Sequence, residues 1–386
     1  MKKSKTVRLG IIGMGSMGQS HAKNILEGKV PNLELAAIAD QDAERLAAYK
    51  DSAHFSDGLE MIKSGCIDAV LIATPHYSHT TLGVAALEAG IHTLVEKPIS
   101  VHKEDCEKLI AAWTNKDVVF SAMFNQRTDP AFRKVKDLID SGELGAVQRI
   151  NWIITDWYRT EYYYASGGWR ATWGGEGGGV LLNQCPHNLD LLQWMFGMPS
   201  KVTANCQFGR FHNIEVEDAV TAILEFPSGA TGVFVTTTGE APGTNRLEVA
   251  CDRGKIVVEN GKLTFTRTEQ LVPDHSKSVL TGFDKPAVWN VDIPLPEGRG
   301  EQHVGILKNF TNAILDGEAL IAPATEGIHS VELANAMLYS AFEETSVKLP
   351  LDAAAYAAVL KKKIAESTFV KAEVKSSGVA DLSGSF

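Results

Sequence analysis

Residues 7–18 read VRLGIIGMGSMG, a short apolar run that passes directly into a turn carrying Gly13, Gly15 and Gly18. Downstream, Met17, Ala22, Ile25 and Leu26 recur with helical spacing, so the reading is strand, glycine turn, helix. Glycine at these three places meets three separate demands: a tight turn, a backbone that approaches a diphosphate, and a helix packed closely on its strand. The pattern alone is unspecific, and its position adds the weight. Asp40 closes the next apolar run, LELAAIAD (33–40). A carboxylate there accepts hydrogen bonds from ribose hydroxyls and repels a 2′-phosphate, which favours NAD over NADP. Gly13, Gly15, Ser16, Met17, Gly18 and Asp40 are therefore candidate cofactor contacts, with Thr74 and Pro75 at the end of DAVLIATP (68–75).

The alternation continues outward from that turn. Helical AERLAAY, strand-like DAVLIATP, helical HTTLGVAALEAG, strand-like HTLVEKP (92–98), a helix from about 102 to 114 and VVFSAM (118–123) follow one another. Continuous apolar strands between amphipathic helices indicate a parallel sheet covered on both faces, with right-handed crossovers. The junction to a second domain is expected near 122–130, where Arg127 either touches substrate or caps the interface. After residue 200 the runs KVTANCQFG, DAVTAILEFPSGATGVFVTTTG and NRLEVACDRGKIVVENGKLTFTR are broken by PSG, DRG and ENG turns, as in antiparallel hairpins. Residues 267–300 are expected to form a surface excursion. Helical spacing returns in HVGILKNFTNAILDG and TEGIHSVELANAMLYSAFEE.

At 386 residues the chain exceeds one ordinary core, so two domains are expected. Hydrophobic residues at 44% and charged residues at 22% are the composition of a soluble globular protein. The 37 basic residues against 47 acidic ones argue against nucleic acid as a partner. Five scattered cysteines without a C-x-x-C pair read as free thiols in a reducing cytoplasm. The basic start MKKSK leads into the glycine turn rather than a cleavage site, and no apolar run is long enough for a membrane span.

Chemistry is suggested by two further stretches. LVEKPIS places Glu96, Lys97 and Pro98 at the carboxyl edge of the sheet, where ligands of open α/β folds bind. A lysine held beside a pyridinium ring loses basicity through like charge and burial, which makes Lys97 a candidate general base. EGGGVLLNQCPHNLDLLQW (176–194) carries Asn183, His187 and Asp190 at spacings that align on one helical face, provided the helix tolerates Pro186 by starting near it or bending. The glycine run is expected to let backbone approach a ligand. This polar row is either a hydrogen-bonded core cluster or part of a site with Lys97. Metal ligation by His187 and Asp190 lacks a third ligand, so no metal is expected.

The glycine fingerprint, ATPHYSHTTLGVAALEAGIHTLVEKPIS and GGGVLLNQCPHNLDLLQW together resemble the Gfo/Idh/MocA oxidoreductase family over most of residues 5–350. The resemblance implies an N-terminal Rossmann dinucleotide-binding domain (1–125), a C-terminal α+β domain with a large open, mainly antiparallel sheet for substrate and subunit contacts (126–350), and a C-terminal helix and loose tail (351–386). It implies a catalytic Lys97, a Glu96 contact near the nicotinamide ribose, a cis bond at Pro98, cofactor contact by His79, and His187 as acid/base partner. His76 stands where the family often has Asn, and Asn183 where many polyol dehydrogenases carry Asp; Asn cannot relay a proton and is left to orient substrate. Asp190 is placed behind His187, fixing its tautomer.

Between the motifs, DWYRTEYYYASGGWRATWGGEGGG (156–179) is crowded with aromatics and arginines. Tyr164, Trp169, Arg170 and Trp173 are read as a clamp for a sugar ring, against the alternative that such loops cover sheets or build interfaces. His303 either faces the cleft or merely begins a surface helix. The expectation is an NAD-dependent dehydrogenase acting on a secondary hydroxyl of a sugar, a glycoside (at ring carbon 3) or a cyclitol, working as a homo-oligomer. The alternatives are a glycosidase or lyase using transient oxidation, and a non-catalytic nucleotide or sugar sensor.

Overall fold

The computed structural model describes residues 6–371. Its first sheet contains β1 (Val7–Ile12), β2 (Leu33–Ala39), β3 (Ala53–Phe55), β4 (Ala69–Ile72), β5 (His92–Val95) and β6 (Phe120–Ala122), all parallel, in the order β3-β2-β1-β4-β5-β6. The crossovers run through α1 (Ser16–Leu26), α2 (Ala43–Leu46), α3 (Gly58–Lys63), α4 (Tyr77–Glu88) and α5 (Lys103–Ala112). The β4 strand is buried at every position because helices cover both faces. The order reverses between β1 and β4, and the crevice beyond their carboxyl ends is where such sheets receive ligands. Edge strand β3 was not legible as a strand: its three residues, AHF, are mostly exposed and show no apolar run.

A short 3-10 turn, Asn125–Thr128, leads into α6 (Pro130–Asp140), β7 (Val147–Ile154), α7 (Glu161–Ala165) and α8 (Pro186–Phe196). Then follow β8 (Lys201–Phe208), β9 (Glu217–Glu225), β10 (Thr231–Thr237), β11 (Asn245–Cys251), β12 (Gly254–Glu259), β13 (Lys262–Thr268), α9 (Val272–Ser278), β14 (Val288–Asp292), α10 (Gln302–Asp316), α11 (Gly327–Phe342), β15 (Val347–Lys348) and α12 (Ala353–Glu366). Nine of these strands form one open sheet, β14-β13-β12-β11-β7-β10-β9-β8-β15, in which only β7 and β10 pair in parallel. Its centre, β7, lies before residue 200, ahead of the region in which the hairpin pattern is evident. The expected surface excursion contains α9 and an exposed β14 that extends the sheet.

Strand β9 shows why one face of this sheet is covered. Val220, Ala222 and Leu224 alternate inward with exposed Thr221, Ile223 and Glu225, and α8 and α11 lie over the inward side. Ile306, Leu307 and Phe310 of α10, with Val331 of α11, join the core of the first sheet instead. Chain from beyond residue 300 therefore returns to pack against the sheet formed by the first 125 residues. The loose tail expected for the last dozen residues lies outside the described residues.

Candidate active site

At the glycine turn each position has its own reason. Gly13 has φ +92°, and a Cβ there would stand 2.6 Å from the Ala73 carbonyl oxygen; one on Gly18 would stand 2.0 Å from that of Gly13. A Cβ on Gly15 would meet nothing within 4 Å, so the backbone there is open to a bound group. Helix α1 begins at Ser16 and Met17 with no side-chain cap and no acidic residue in its first turn, leaving its N–H groups for an anion. The Thr74 hydroxyl, next to exposed Pro75, is buried without a hydrogen-bond partner. Asp40 accepts from Met14 N at 2.7 Å and Asp42 N at 2.9 Å, which holds its carboxylate against the turn. These features fit the diphosphate and ribose of NAD.

The Glu96-Lys97-Pro98 turn leaves β5 with a cis bond before Pro98. Glu96 Oε1 lies 2.6 Å from Nε2 of buried His21, and Oε2 accepts from Lys97 N at 3.1 Å. Burial opposes ionisation of Glu96, but the hydrogen bond to His21 and the positive groups around it prevail and bring the carboxyl down to about 2. His21 was not singled out from sequence, since its place on the apolar side of α1 resembles an ordinary core position. His79 is expected at the cofactor, but its Nδ1 is 2.8 Å from the Pro98 carbonyl oxygen and its Nε2 is 2.8 Å from that of Thr74, so both nitrogens face protein carbonyls, and with burial lowering its pKa the neutral ring donates to one of the two.

Lys97 Nζ donates to the backbone carbonyl of Asn183 at 2.6 Å, joining the edge of the first sheet to the glycine-rich segment of the second domain. Burial lowers the lysine pKa, while Glu96 and Glu176 pull it the other way. The regular helix α8 starts at Pro186, its first-turn position, so Asn183 belongs to the preceding turn rather than to the helix. Gly177 and Gly179 are required by the protein itself: added Cβ atoms would lie 2.1 Å from Val101 Cγ1 and 2.0 Å from the Glu217 carbonyl oxygen. Glu217, unnoticed in sequence, accepts from Gly179 N at 2.8 Å and Leu181 N at 3.0 Å, and burial raises its carboxyl to about 7.

His187 is buried, its ring edge-on to Phe124, with Nδ1 unpartnered. Burial, reinforced by the charge of Lys97, holds the imidazole well below its ordinary pKa and therefore neutral at pH 7. Asp190 is not behind it. Both Asp190 oxygens take the guanidinium of Arg127, at 2.7 and 2.6 Å, which removes Arg127 from substrate contact and Asp190 from tautomer control or metal ligation. His303, at the start of α10, meets His21 ring to ring at 5.4 Å and is lowered to about 4 by burial and by His21. The α10 start thus faces the Glu96-Lys97 turn.

The aromatic loop divides in two. Tyr164 is buried and donates to Thr238 Oγ1 at 2.8 Å, and Trp173 packs against the stacked pair Phe208 and Phe342; both are core residues, not a clamp. Trp169 meets His76 ring to ring at 5.3 Å, and the Arg170 guanidinium lies 4.8 Å from the Trp169 ring and 4.6 Å from that of Tyr163. Arg170 Nη1 donates to Tyr163 OH at 2.7 Å, and Tyr163 OH donates to Asn183 Oδ1 at 3.1 Å. Gln184 Nε2 donates to the same Asn183 oxygen at 2.9 Å, and the Asn183 amide donates to Glu176. The Asn183 side chain is thus largely engaged within the protein; Tyr163, one of the aromatics crowding 156–179, joins the site, as does Glu176, which is not among the candidates read from sequence. Lys371 fixes the loop from behind, donating to Gly167 O at 2.6 Å and Arg170 O at 2.8 Å.

A doubly wound sheet with an open glycine turn at its switch point, and a partly desolvated lysine at the same edge, defines an NAD-dependent oxidoreductase. The chain belongs to the Gfo/Idh/MocA family: residues 7–124 match its oxidoreductase NAD-binding Rossmann fold and residues 132–257 match its C-terminal domain. It is 26% identical over 357 residues to myo-inositol 2-dehydrogenase of Thermotoga maritima, covering 89% of this chain and 98% of the relative. Levoglucosan dehydrogenase of Pseudarthrobacter phenanthrenivorans is 25% identical over 396 residues, covering 90% and 99%. Among solved structures, the WlbA dehydrogenase from Bordetella pertussis in complex with NADH and UDP-GlcNAcA superposes with a TM-score of 0.74 at 25% identity, covering 90% of this chain and 100% of that one. Among the described residues, no helix is long and apolar enough to cross a membrane.

Proposed function

We propose that the protein oxidises a secondary hydroxyl of a carbohydrate, with Lys97 as the base that accepts the hydroxyl proton. The observation that carries this reading is the 2.6 Å contact of Lys97 Nζ with Asn183 O, which holds the amine at the junction of the nucleotide edge and the second domain. When bound, NAD supplies the hydride acceptor. Lys97 lowers the barrier by taking the proton as the C–H bond breaks, and its fixed position supplies proximity. Neutral His187, with Nδ1 unpartnered, is able to hydrogen-bond the same hydroxyl. Trp169, Arg170 and Tyr163 offer stacking faces and donors to a sugar ring. Relatives named for inositol and levoglucosan support a sugar or cyclitol as substrate class. Because the loop offers stacking faces and Asn183 stands where many polyol dehydrogenases carry Asp, a glycoside oxidised at ring carbon 3 is the substrate we favour within that class.

The test is a screen of sugars, cyclitols and glycosides with NAD and NADP, following absorbance at 340 nm, repeated with Lys97→Ala and His187→Ala. Lys97→Ala is expected to lower kcat by about 10²–10⁴-fold, the usual weight of a positioned acid/base group. Consumption of a glycoside without net NADH would point instead to transient oxidation and elimination. Undiminished turnover in Lys97→Ala would end the reading. We also assign self-association to the outer face of the second sheet, where Ile153, Ile223 and Val233 are exposed.

A further inference from the structure

Glu176 follows the aromatic loop and opens the glycine run, yet its side chain is only 1% exposed. Its Oε2 accepts from Ala171 N at 2.7 Å, and Oε1 accepts from the Asn183 side-chain amide. The carbonyl of that same Asn183 accepts from Lys97 Nζ at 2.6 Å. Glu176 and Lys97 therefore hold one residue from its side chain and its backbone, and one backbone amide, that of Ala171, together with the Asn183 side-chain amide fixes the carboxylate. Burial raises the Glu176 pKa, and the charge of Arg170, the Ala171 and Asn183 hydrogen bonds and the charge of Lys97 oppose it, with Lys371 also near.

We propose that Glu176 is a positioning residue that acts as the counter-charge of Lys97 and so sets the pH range in which Lys97 accepts the hydroxyl proton. The inference rests on the reading of Lys97 as the base. The groups facing Lys97 are Glu96 from its own turn, His76 and His79 from the α4 region, Arg159, Arg170 and Glu176 from the aromatic loop and its end, the Cys185 thiol just before α8, His187 from α8 and His303 from α10. Only two of these are carboxylates. Glu96 is already joined to His21, which leaves Glu176 as the anion not paired with a buried histidine. An anion close to an amine stabilises its protonated form, so removing the charge makes Lys97 neutral at lower pH.

The experiment compares Glu176→Gln, which keeps the shape, with Glu176→Asp, which keeps the charge. Two readouts are taken: the pH profile of kcat/KM for carbohydrate oxidation, and the pH midpoint for acetylation of Lys97 by acetic anhydride, followed by mass spectrometry. Acetylation is measured with and without saturating NAD, whose binding adds stability to a weakened variant, and melting curves check the fold. In E176Q both the acid limb and the midpoint are expected to fall by about one pH unit or more, the scale of an opposite charge at close range. In E176D both are expected to stay near wild type. An unmoved midpoint in folded E176Q overturns the proposal, as does an equal displacement in E176D, which would mean packing alone. A displaced midpoint in E176Q alone, with no carbohydrate oxidised by any form, supports the counter-charge and ends the functional reading instead.

Discussion

Arg127 and Asp190 meet in a two-pronged pair at the junction of the two sheets, with Nε 2.7 Å and Nη2 2.6 Å from the two carboxylate oxygens and both side chains only 1% exposed. The remaining nitrogen, Nη1, donates to Glu326 at 2.6 Å and to Ile321 O at 3.1 Å, so one guanidinium joins the junction turn, α8 and the approach to α11. Removing one partner of a buried pair strands the other. Arg127→Met is expected to cost about 3–5 kcal/mol in urea unfolding, while the double change Arg127→Met with Asp190→Leu recovers much of it. A loss below about 1 kcal/mol for the single variant would show that Asp190 finds another partner.

Gly15 and Gly18 are expected to separate binding from folding. Gly15 has φ −71° and open space around its would-be Cβ, so Gly15→Ala preserves or slightly raises the melting temperature, as replacements at compatible backbone do. The methyl group then stands where the backbone must approach the NAD diphosphate, and cofactor affinity falls at least tenfold, about 1.4 kcal/mol. Gly18→Ala collides with Gly13 O and lowers the melting temperature first. Calorimetry alongside NAD titration reads both; equal NAD affinity in Gly15→Ala and wild type would place the diphosphate elsewhere.

Asp40 is expected to control the choice of nucleotide. Arg45 Nη1 lies 3.4 Å from Asp40 Oδ2 and its Nε 3.2 Å from Asp42, so a cation already stands beside the carboxylate that repels a 2′-phosphate. Asp40→Ser replaces the charged ribose acceptor with a neutral, shorter hydroxyl, removes the repulsion and leaves Arg45 available. The ratio of NADP to NAD affinity is expected to rise by about 10–100-fold, the worth of one charge-assisted hydrogen bond. Binding titrations with both nucleotides check it, and an unchanged ratio would mean that Asp40 serves only the Met14 and Asp42 amides.

What was legible in the sequence was whatever depends on local pattern. The fully apolar β4, the glycine turn before α1 and the Lys97-Pro98 turn each declare themselves in a few residues, and the two-domain plan follows from the change in period after residue 200. What was hidden depends on partners distant in the chain. Asp190 has helical register with His187, yet register says nothing of an arginine 63 positions earlier that claims both of its oxygens. Tyr164 and Trp173 match a sugar clamp in composition as well as Trp169 does, and only packing against Thr238, Phe208 and Phe342 separates them. Glu176 does carry a local signal: an acid directly before a glycine run and amid aromatics stands where a carboxylate has little access to water.

The outer face of the nine-stranded sheet gives the last prediction. Register places Val233 opposite Ile223 across β9 and β10, and Val235 beside Ile153 across β10 and β7, so apolar side chains from three adjacent strands share one uncovered surface. Ile223 is 53% exposed there, Val233 38% and Ile153 37%, while the opposite face is closed by helices. A sheet face of this kind is covered by a second copy of the same chain when each presents it to the other around a twofold axis. Light scattering of the wild type is expected to give at least twice the monomer mass, and Ile223→Lys, which sets charge against charge across such an axis, is expected to shift it toward the monomer while NAD affinity is retained, because the nucleotide turn lies in the other domain. A monomeric wild type would leave the exposed isoleucines without that role.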